Sequence, residues 1–450
     1  MLKARSKRTI SIFLLSAAFC LLLSSCENPF MQQILEYKTV SFNTNGGSSV
    51  PAQNLIKGRK ITRPDDPEKP DYFFDGWYSD NETFLYEWDF DDIPTADITL
   101  YAKWIDEILI SFDLQAEVDK YESAADNMII KVPGSFILTE NIIVPANAND
   151  YTLTITSDRS SPYNIYRGQT DTNIEDNSGL FIVTNGAKLI FENIVINGNK
   201  STHTDNAAPL VRVETEGEFT LGDGAVLRNN KASVGGGVFV DWGGIFNMEG
   251  GIISGNEAAT NGGGVFVAAD NQGGGSVFNM EGGTISGNEA TTNGGGVFVA
   301  FFARFTMSNS EVSDNKALDG GGVYAIGNFN MKDNAKVSDN IATGNGGGVY
   351  IINNTFSMED GTISGNTATT NGGGVYVGKY GKFEISNGTV YGNNATGGLA
   401  NTATSKWAAL FVVEGEEEEK GIAQCIGGTT VYSLDTRDET IEVIDGVLQP

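Results

Sequence analysis

Glu249 and Glu281 hold the same place in two copies of one phrase, Phe-Asn-Met-Glu-Gly-Gly. If successive copies stack as neighbouring rungs, the two carboxylates stand roughly 5 Å apart, the separation of a retaining glycosidase pair. Each of them, however, follows Met and precedes Gly at a turn, an ordinary place for a solvated acid. Acid/base chemistry needs a partner group within reach, and basic residues are sparse here. From 232 to 398 the only Arg is Arg304, and Lys316, Lys332, Lys336, Lys379 and Lys382 are scattered. The one His, His203, lies in a polar Asn-Lys-Ser-Thr-His-Thr-Asp-Asn loop and is read as inert. Calcium-binding nonapeptide repeats place Asp two residues after Gly-Gly-x-Gly, where this chain has Phe or Tyr nearby. No catalytic residue, metal site or cofactor is expected, and the chain reads as a non-enzyme.

Bulk properties agree. Hydrophobic residues make up 40% of the 450, too many for a disordered chain. The formal charge of −28 argues against nucleic acid, because an acidic surface repels phosphates. Lys3, Arg5, Lys7 and Arg8 precede an apolar run, Ile10–Leu23, too short for a confident membrane span. Of three Cys, Cys20 lies in that run and Cys26 closes it, leaving Cys425 alone. One thiol builds neither a disulfide framework nor a zinc cluster.

The elements that must position any site come from a repeat. Triple glycines begin at 235, 262, 294, 320, 346 and 372, so the period is close to 26 residues. Self-similarity at this length means stacked units that bury their cores against one another. Three short strand signals recur in each unit: Val-aromatic-aliphatic, Phe-x-Met, and Ile/Val-Ser-x-Asn. Period-two alternation turns Phe246, Phe278, Phe305, Phe329 and Phe356 inward as one column. Asn256, Asn288, Asn315, Asn340, Asn366 and Asn393 share a register and are expected to form an amide ladder. The same alternation sends Phe239, Phe266, Phe298, Tyr324, Tyr350 and Tyr376 outward as an exposed file, one per rung. Ahead of the repeat, Leu114, Val118, Tyr121 and Ala125 have helical spacing, which predicts a helix over 114–127 covering the open end of the stack.

Three stretches resemble known families. "LLSSC" at 22–26 resembles the bacterial lipobox, which implies cleavage before Cys26, a lipid on Cys26 and a mature charge of −32. "YKTVSFNTNGG", "KPDYFFDGWY", "WDFDD" and "DITLYAKW", between 37 and 104, resemble the Listeria–Bacteroides repeat. That implies a β-grasp-like module with Trp77, Trp88 and Trp104 in its core. The coils are similar to the pectin-lyase-like superfamily, with phrases like those of chlamydial polymorphic outer-membrane proteins. Lyases of that superfamily use clustered acids for calcium and an Arg or Lys base, which these coils lack.

The expected fold is all-β: a right-handed parallel β-helix solenoid preceded by a small β-grasp-like module. Residues 1–25 are read as signal peptide, 26–36 as lipidated Cys and tether, and 37–105 as the module. Connector and capping helix follow at 106–127, the β-helix at 128–396, and C-terminal coils and cap at 397–450. The functional expectation is a lipid-anchored protein of the cell envelope, at the outer membrane or cell surface. It would contact the membrane through its lipid and a glycan or a host or matrix protein through the aromatic file. A polysaccharide-degrading enzyme and a passive coat or spacer are the competing readings.

Cys26→Ser is expected to move the protein from the detergent phase to the soluble fraction. Mass spectrometry of an intact, lipid-free leader would overturn the lipidation reading.

Overall fold

The computed structural model describes residues 37–450 apart from 57, 65–66, 68, 70–71, 91, 106–111, 158–161, 172–177, 270–274, 405–406, 414–421, 428–429, 434–440, 445–446 and 449–450. The expected leader, Cys26 and tether lie outside the described residues, as does the Glu-rich stretch 414–420. Two compact units divide the chain, Met1–Asp106 and Glu107–Pro450.

In the first unit, strands β1 (Tyr37–Asn43), β2 (Gln53–Ile56), β3 (Phe73–Tyr78) and β4 (Ile98–Ile105) form one sheet in the order β2-β1-β4-β3. The central pair is parallel and the outer pairs antiparallel, the mixed arrangement expected of a β-grasp-like sheet. Trp77, 1% exposed, anchors the core. Its ring meets Phe42 edge-on at 4.9 Å and Phe74 at 5.5 Å. Trp88 and Trp104 are partly buried against the same cluster, as the spacing of aromatics predicts.

The second unit is a parallel β-solenoid over 128–390 of about nine turns. Val-aromatic-Val strands form one sheet, Phe-x-Met strands a second and Ile-Ser strands a third. These are called the aromatic, Phe/Met and Ile/Ser sheets below. The expected three strands per coil become four. A two-residue strand, as in Glu257–Ala258 and Lys316–Ala317, builds a narrow fourth sheet of seven strands among the described residues. Two residues are too few to show an alternation, so this strand left no periodic signal.

Parallel in-register pairing puts identical residues above one another. Phe246, Phe278, Phe305, Phe329 and Phe356 are fully buried and stack with centroids 4.5–5.0 Å apart. Beside them runs a buried column of Met248, Met280, Met307, Met331 and Met358.

At the corner after the Ile/Ser sheet stands the amide ladder. The Asn288 side-chain oxygen, Oδ1, accepts from both the backbone N–H and the side-chain N–H of Asn256, each at 3.0 Å. The same pair of bonds links Asn288 to Asn315, Asn315 to Asn340 and Asn340 to Asn366. Each side-chain amide also donates to a main-chain carbonyl one coil back, as Asn315 does to Ile285 at 2.9 Å. Asn393 is not part of the column. It is exposed on an insertion, and Asn401, fully buried, accepts from Asn366 in its stead. Counting residues at the average period selected Asn393, but burial of the amide selects the side chain that reaches the corner.

The triple glycine answers to this ladder. Gly262 takes φ +67°, a conformation that L side chains resist. A Cβ on Gly321 would lie 2.6 Å from the Gly347 carbonyl of the next coil. One on Gly322 would lie 2.9 Å from the Asn340 amide. The glycines therefore meet different demands: a turn, a close approach of coils, and room for the ladder.

Both ends are closed. Helix α1 (Leu114–Val118) continues into a 3-10 turn at Asp119–Tyr121, and its Leu114, Val118 and Tyr121 are buried. The Gln115 amide donates to the Ile143 carbonyl at 2.9 Å and accepts from the Ile143 N–H at 2.8 Å. It thus stands in for a neighbouring strand at an open edge. The helix is shorter than the expected 114–127, and Ala125 is exposed. Past the 3-10 turn, Asn147 donates to the Tyr121 carbonyl at 2.7 Å and to that of Ala124 at 3.0 Å, so the chain leaves the helical path there. At the far end, Ile422–Gly427 turns back antiparallel onto Thr430–Ser433, and Ile441–Ile444 runs antiparallel to Gly388–Val390.

Asn315→Ala strands the donors of Asn288 and the Ile285 carbonyl, and should cost about 3 kcal/mol or more. Asn393→Ala should cost less than about 0.5 kcal/mol. Guanidinium unfolding midpoints of the two variants check this; equal midpoints would contradict the ladder.

Candidate interaction surface

The aromatic sheet turns the file outward as alternation predicts, but the file is covered and not exposed as expected. Val238, Val240, Val265 and Val267 are fully buried, while Phe239 and Phe266 between them are half-buried on the outside. Tyr324, Tyr350 and Tyr376 are likewise half-buried, and Phe298 is 6% exposed. Ring stacking explains the cover. Centroids from Phe239 through Tyr376 lie 4.5–5.6 Å apart with interplanar angles of 7–26°. Phe411 extends the stack at 5.0 Å. At the other end the Arg212 guanidinium lies 4.8 Å from the Phe239 centroid and pairs with Asp241 at 2.6 Å. Each ring's faces are therefore occupied by its neighbours, and the file offers outside partners ring edges and phenol groups.

Burial pushes the Tyr324 phenol up to about 12, aided by the Asp319 charge. Tyr350 is also raised, by burial first and then by Tyr376, Tyr324 and Asp319 around it. The Tyr376 phenol is raised by burial and by Asp319, against a hydrogen bond from Tyr350. All three therefore stay protonated at neutral pH as hydrogen-bonding groups on an apolar line.

Of the residues weighed for catalysis, only Glu249 and Glu281 come together, on adjacent coils in one register. Glu249 and Glu281 are exposed at the turn that leaves the Phe/Met sheet. Arg304 begins a strand of that sheet, at its opposite edge, paired with Val277. His203 bonds the Thr170 hydroxyl through Nδ1 at 2.9 Å, and burial lowers its pKa.

Three features escaped the sequence reading. Arg167 is fully buried, donates to the Pro209 carbonyl at 2.8 Å, and is pushed down to about 10 by burial despite Asp171. Asp314 and Asp339 come together near Glu311 at the turn after the Ile/Ser sheet. Burial raises both carboxyls, and the neighbouring acids add to it. Trp242, Phe301, Phe302 and Tyr380 are exposed where the aromatic sheet turns into the Phe/Met sheet. Only the last had a legible signal, bulky aromatic letters in turn slots that other coils fill with Gly or polar residues.

Comparison with known proteins divides the chain the same way. Residues 39–103 match the family model of the Listeria–Bacteroides repeat domain. Residues 256–408 match that of the periplasmic copper-binding protein NosD. A "Putative Gly-rich membrane protein" of Evansella cellulosilytica is 49% identical over 84 residues, 18% of this chain and 9% of that protein. A "Putative membrane protein" of the same organism is 46% identical over 78 residues, 17% of this chain and 12% of that one. The chain thus covers about a tenth of the length of these relatives. No solved structure matches.

The NosD description names copper, and the donor set here does not suit it. Copper in proteins takes imidazole, thiolate or thioether ligands. Residues 256–408 contain neither His nor Cys, and their four Met side chains are sealed in the core at 0–1% exposure. Among the described residues no three or more His, Cys, Asp or Glu gather as a metal site. What the match shares with this chain is the coil. The chain joins a Listeria–Bacteroides repeat domain to a parallel β-solenoid whose later coils match the NosD family model.

Proposed function

We propose that this chain is a non-enzymatic protein of the cell envelope that holds out a rigid solenoid as a contact surface, anchored by a lipid on Cys26. One observation carries the reading: the side chains that recur coil after coil are amides, apolar groups and aromatics, while acids recur over two coils at most and without a base beside them at the turn of Glu249 and Glu281. A hydrolase or lyase would need converging acids and a base, and Arg304 lies across the sheet from the turn of Glu249 and Glu281. The envelope placement is supported by the relatives' names, both membrane proteins, and by the periplasmic family matched at 256–408.

The contact face includes the file from Phe239 to Tyr376, whose edges and phenols form a stiff line that loses little entropy on binding. Its partner is a glycan chain or a host or matrix protein, basic or neutral in charge because the chain is acidic. A passive spacer is the second reading, favoured by the stacking that occupies the ring faces.

Arrays of glycans and matrix proteins probed with the lipid-free protein test this. Tyr324→Ser with Tyr350→Ser should weaken the captured interaction about tenfold or more, with the β-sheet circular dichroism unchanged. Capture of nothing would leave the spacer reading in place. Turnover of pectic or glycosaminoglycan substrates, lost in Glu249→Gln or Glu281→Gln, would overturn the non-enzymatic reading.

A further inference from the structure

In the first unit, the pairing of β3 with β4 carries one irregularity. Phe74 lies opposite Trp104 and Gly76 opposite Lys103, so Asp75 is an extra residue inserted between the two pairs, a β-bulge. A bulge re-aims its side chain, and this one brings Oδ2 of Asp75 to 3.1 Å from Nζ of Lys103. Neither group reaches the surface: the Asp75 side chain is 0% exposed and that of Lys103 10%. Tyr78, fully buried, donates its hydroxyl to the same Oδ2 at 2.9 Å. The Lys103 Nζ lies 5.2 Å from the centre of the Tyr78 ring.

A second carboxyl leans over this pair. Glu87 bridges Tyr78 on the other edge of β3, and its side chain extends across Gly76. A Cβ on Gly76 would stand 2.6 Å from Oε1 of Glu87. Side chains directly opposite on antiparallel strands begin about 5 Å apart, so the missing Cβ lets this carboxyl reach toward Lys103. The loop after β3 closes the place off. Asp80 accepts from the Thr83 and Phe84 N–H groups at 2.8 and 2.6 Å and from those of Leu85 and Tyr86 at 3.1 and 3.2 Å. The loop so fixed sets the Phe84 ring edge-on to Tyr78 at 5.5 Å. Removing Lys and Asp charges from water is costly even when they pair, and a neutral covalent link would end that cost.

We propose that Lys103 and Asp75 join as an intramolecular amide that braces β4 to β3 and forms without a second enzyme. Away from water, a proton moves from the Lys103 ammonium to the Asp75 carboxylate, giving an amine and an acid. The amine attacks Cγ of Asp75, and the Tyr78 hydroxyl on Oδ2 holds the negative charge that develops there. Glu87 takes a proton from the nitrogen and returns it to Oδ1, which leaves as water. One C–N bond forms and one C–O bond breaks, with no change in oxidation state. Cys20, Cys26 and Cys425 all lie outside 37–105, so this module has no disulfide of its own to do the same work.

Intact mass spectrometry of the denatured, lipid-free full chain tests this. The mass should fall below that of the sequence by one water, and a protease digest should hold a branched peptide joining Asp75 to Lys103. Asp75-Gly76 would also lose one water by closing to a cyclic imide, and Lys103→Arg separates the two reactions. Arg keeps the ion pair but stays protonated and cannot form the amide, so this variant should have its full sequence mass and an unchanged circular dichroism spectrum. Glu87→Gln should leave most of the chain without the link. A wild-type chain at full sequence mass, or a water loss that persists in Lys103→Arg, would overturn the proposal. Complete cross-linking in Glu87→Gln would overturn the proton relay assigned to Glu87.

Discussion

Everything in the solenoid depends on buried amides finding partners. A coil of about 26 residues encloses a thin apolar core, and its corners push polar backbone into that core. The Asn column satisfies those groups from coil to coil, with every amide both accepting and donating. An unsatisfied buried polar group costs about 1–3 kcal/mol, so one wrong residue in the column is felt by the coils on both sides. The triple glycine, the turn before it and the spacing of the sheets all follow from leaving room for that column.

Stacking then distributes the remaining work. Inside, Phe on Phe and Met on Met fill a cavity of constant cross-section, because identical side chains one coil apart need no adjustment of the backbone. Outside, a second aromatic file stacks just as closely, with Arg212 closing one end. The two files have the same geometry and different consequences. The inner one excludes water, and the outer one stiffens a surface and orders its phenols.

The same periodicity explains where charge is absent. Like charges repeated at every coil would stand about 5 Å apart and repel by roughly 0.8 kcal/mol per neighbouring pair even in water. Positions that recur faithfully are accordingly neutral, and acids occupy slots that change from coil to coil. Acids do share a slot on some adjacent coils, as Glu257 and Glu289 do, and at Asp314 and Asp339 near Glu311 both carboxyls are raised. A chain built this way is poorly suited to a paired acid/base site and well suited to presenting one uncharged residue type in file.

The sequence by itself determined the architecture, because a solenoid writes its contacts into a local period. The inward Phe column, the outward Val-aromatic-Val parity and the Trp core of the first module were all legible from spacing. What only the tertiary structure decided lay where the period fails or a contact is remote. Asn401 replaces Asn393 because an insertion carries the expected residue into solvent. Helix α1 gives way to a 3-10 turn at Asp119–Tyr121, and Asn147, some twenty-five residues away, takes the Tyr121 and Ala124 carbonyls past it. The narrow fourth sheet is too short to alternate. That the outer rings cover one another's faces, and that Phe302 and Tyr380 take positive φ, are facts of φ and distance. No letter pattern states them, because a periodic code records which residues are equivalent and not how much of each is left exposed.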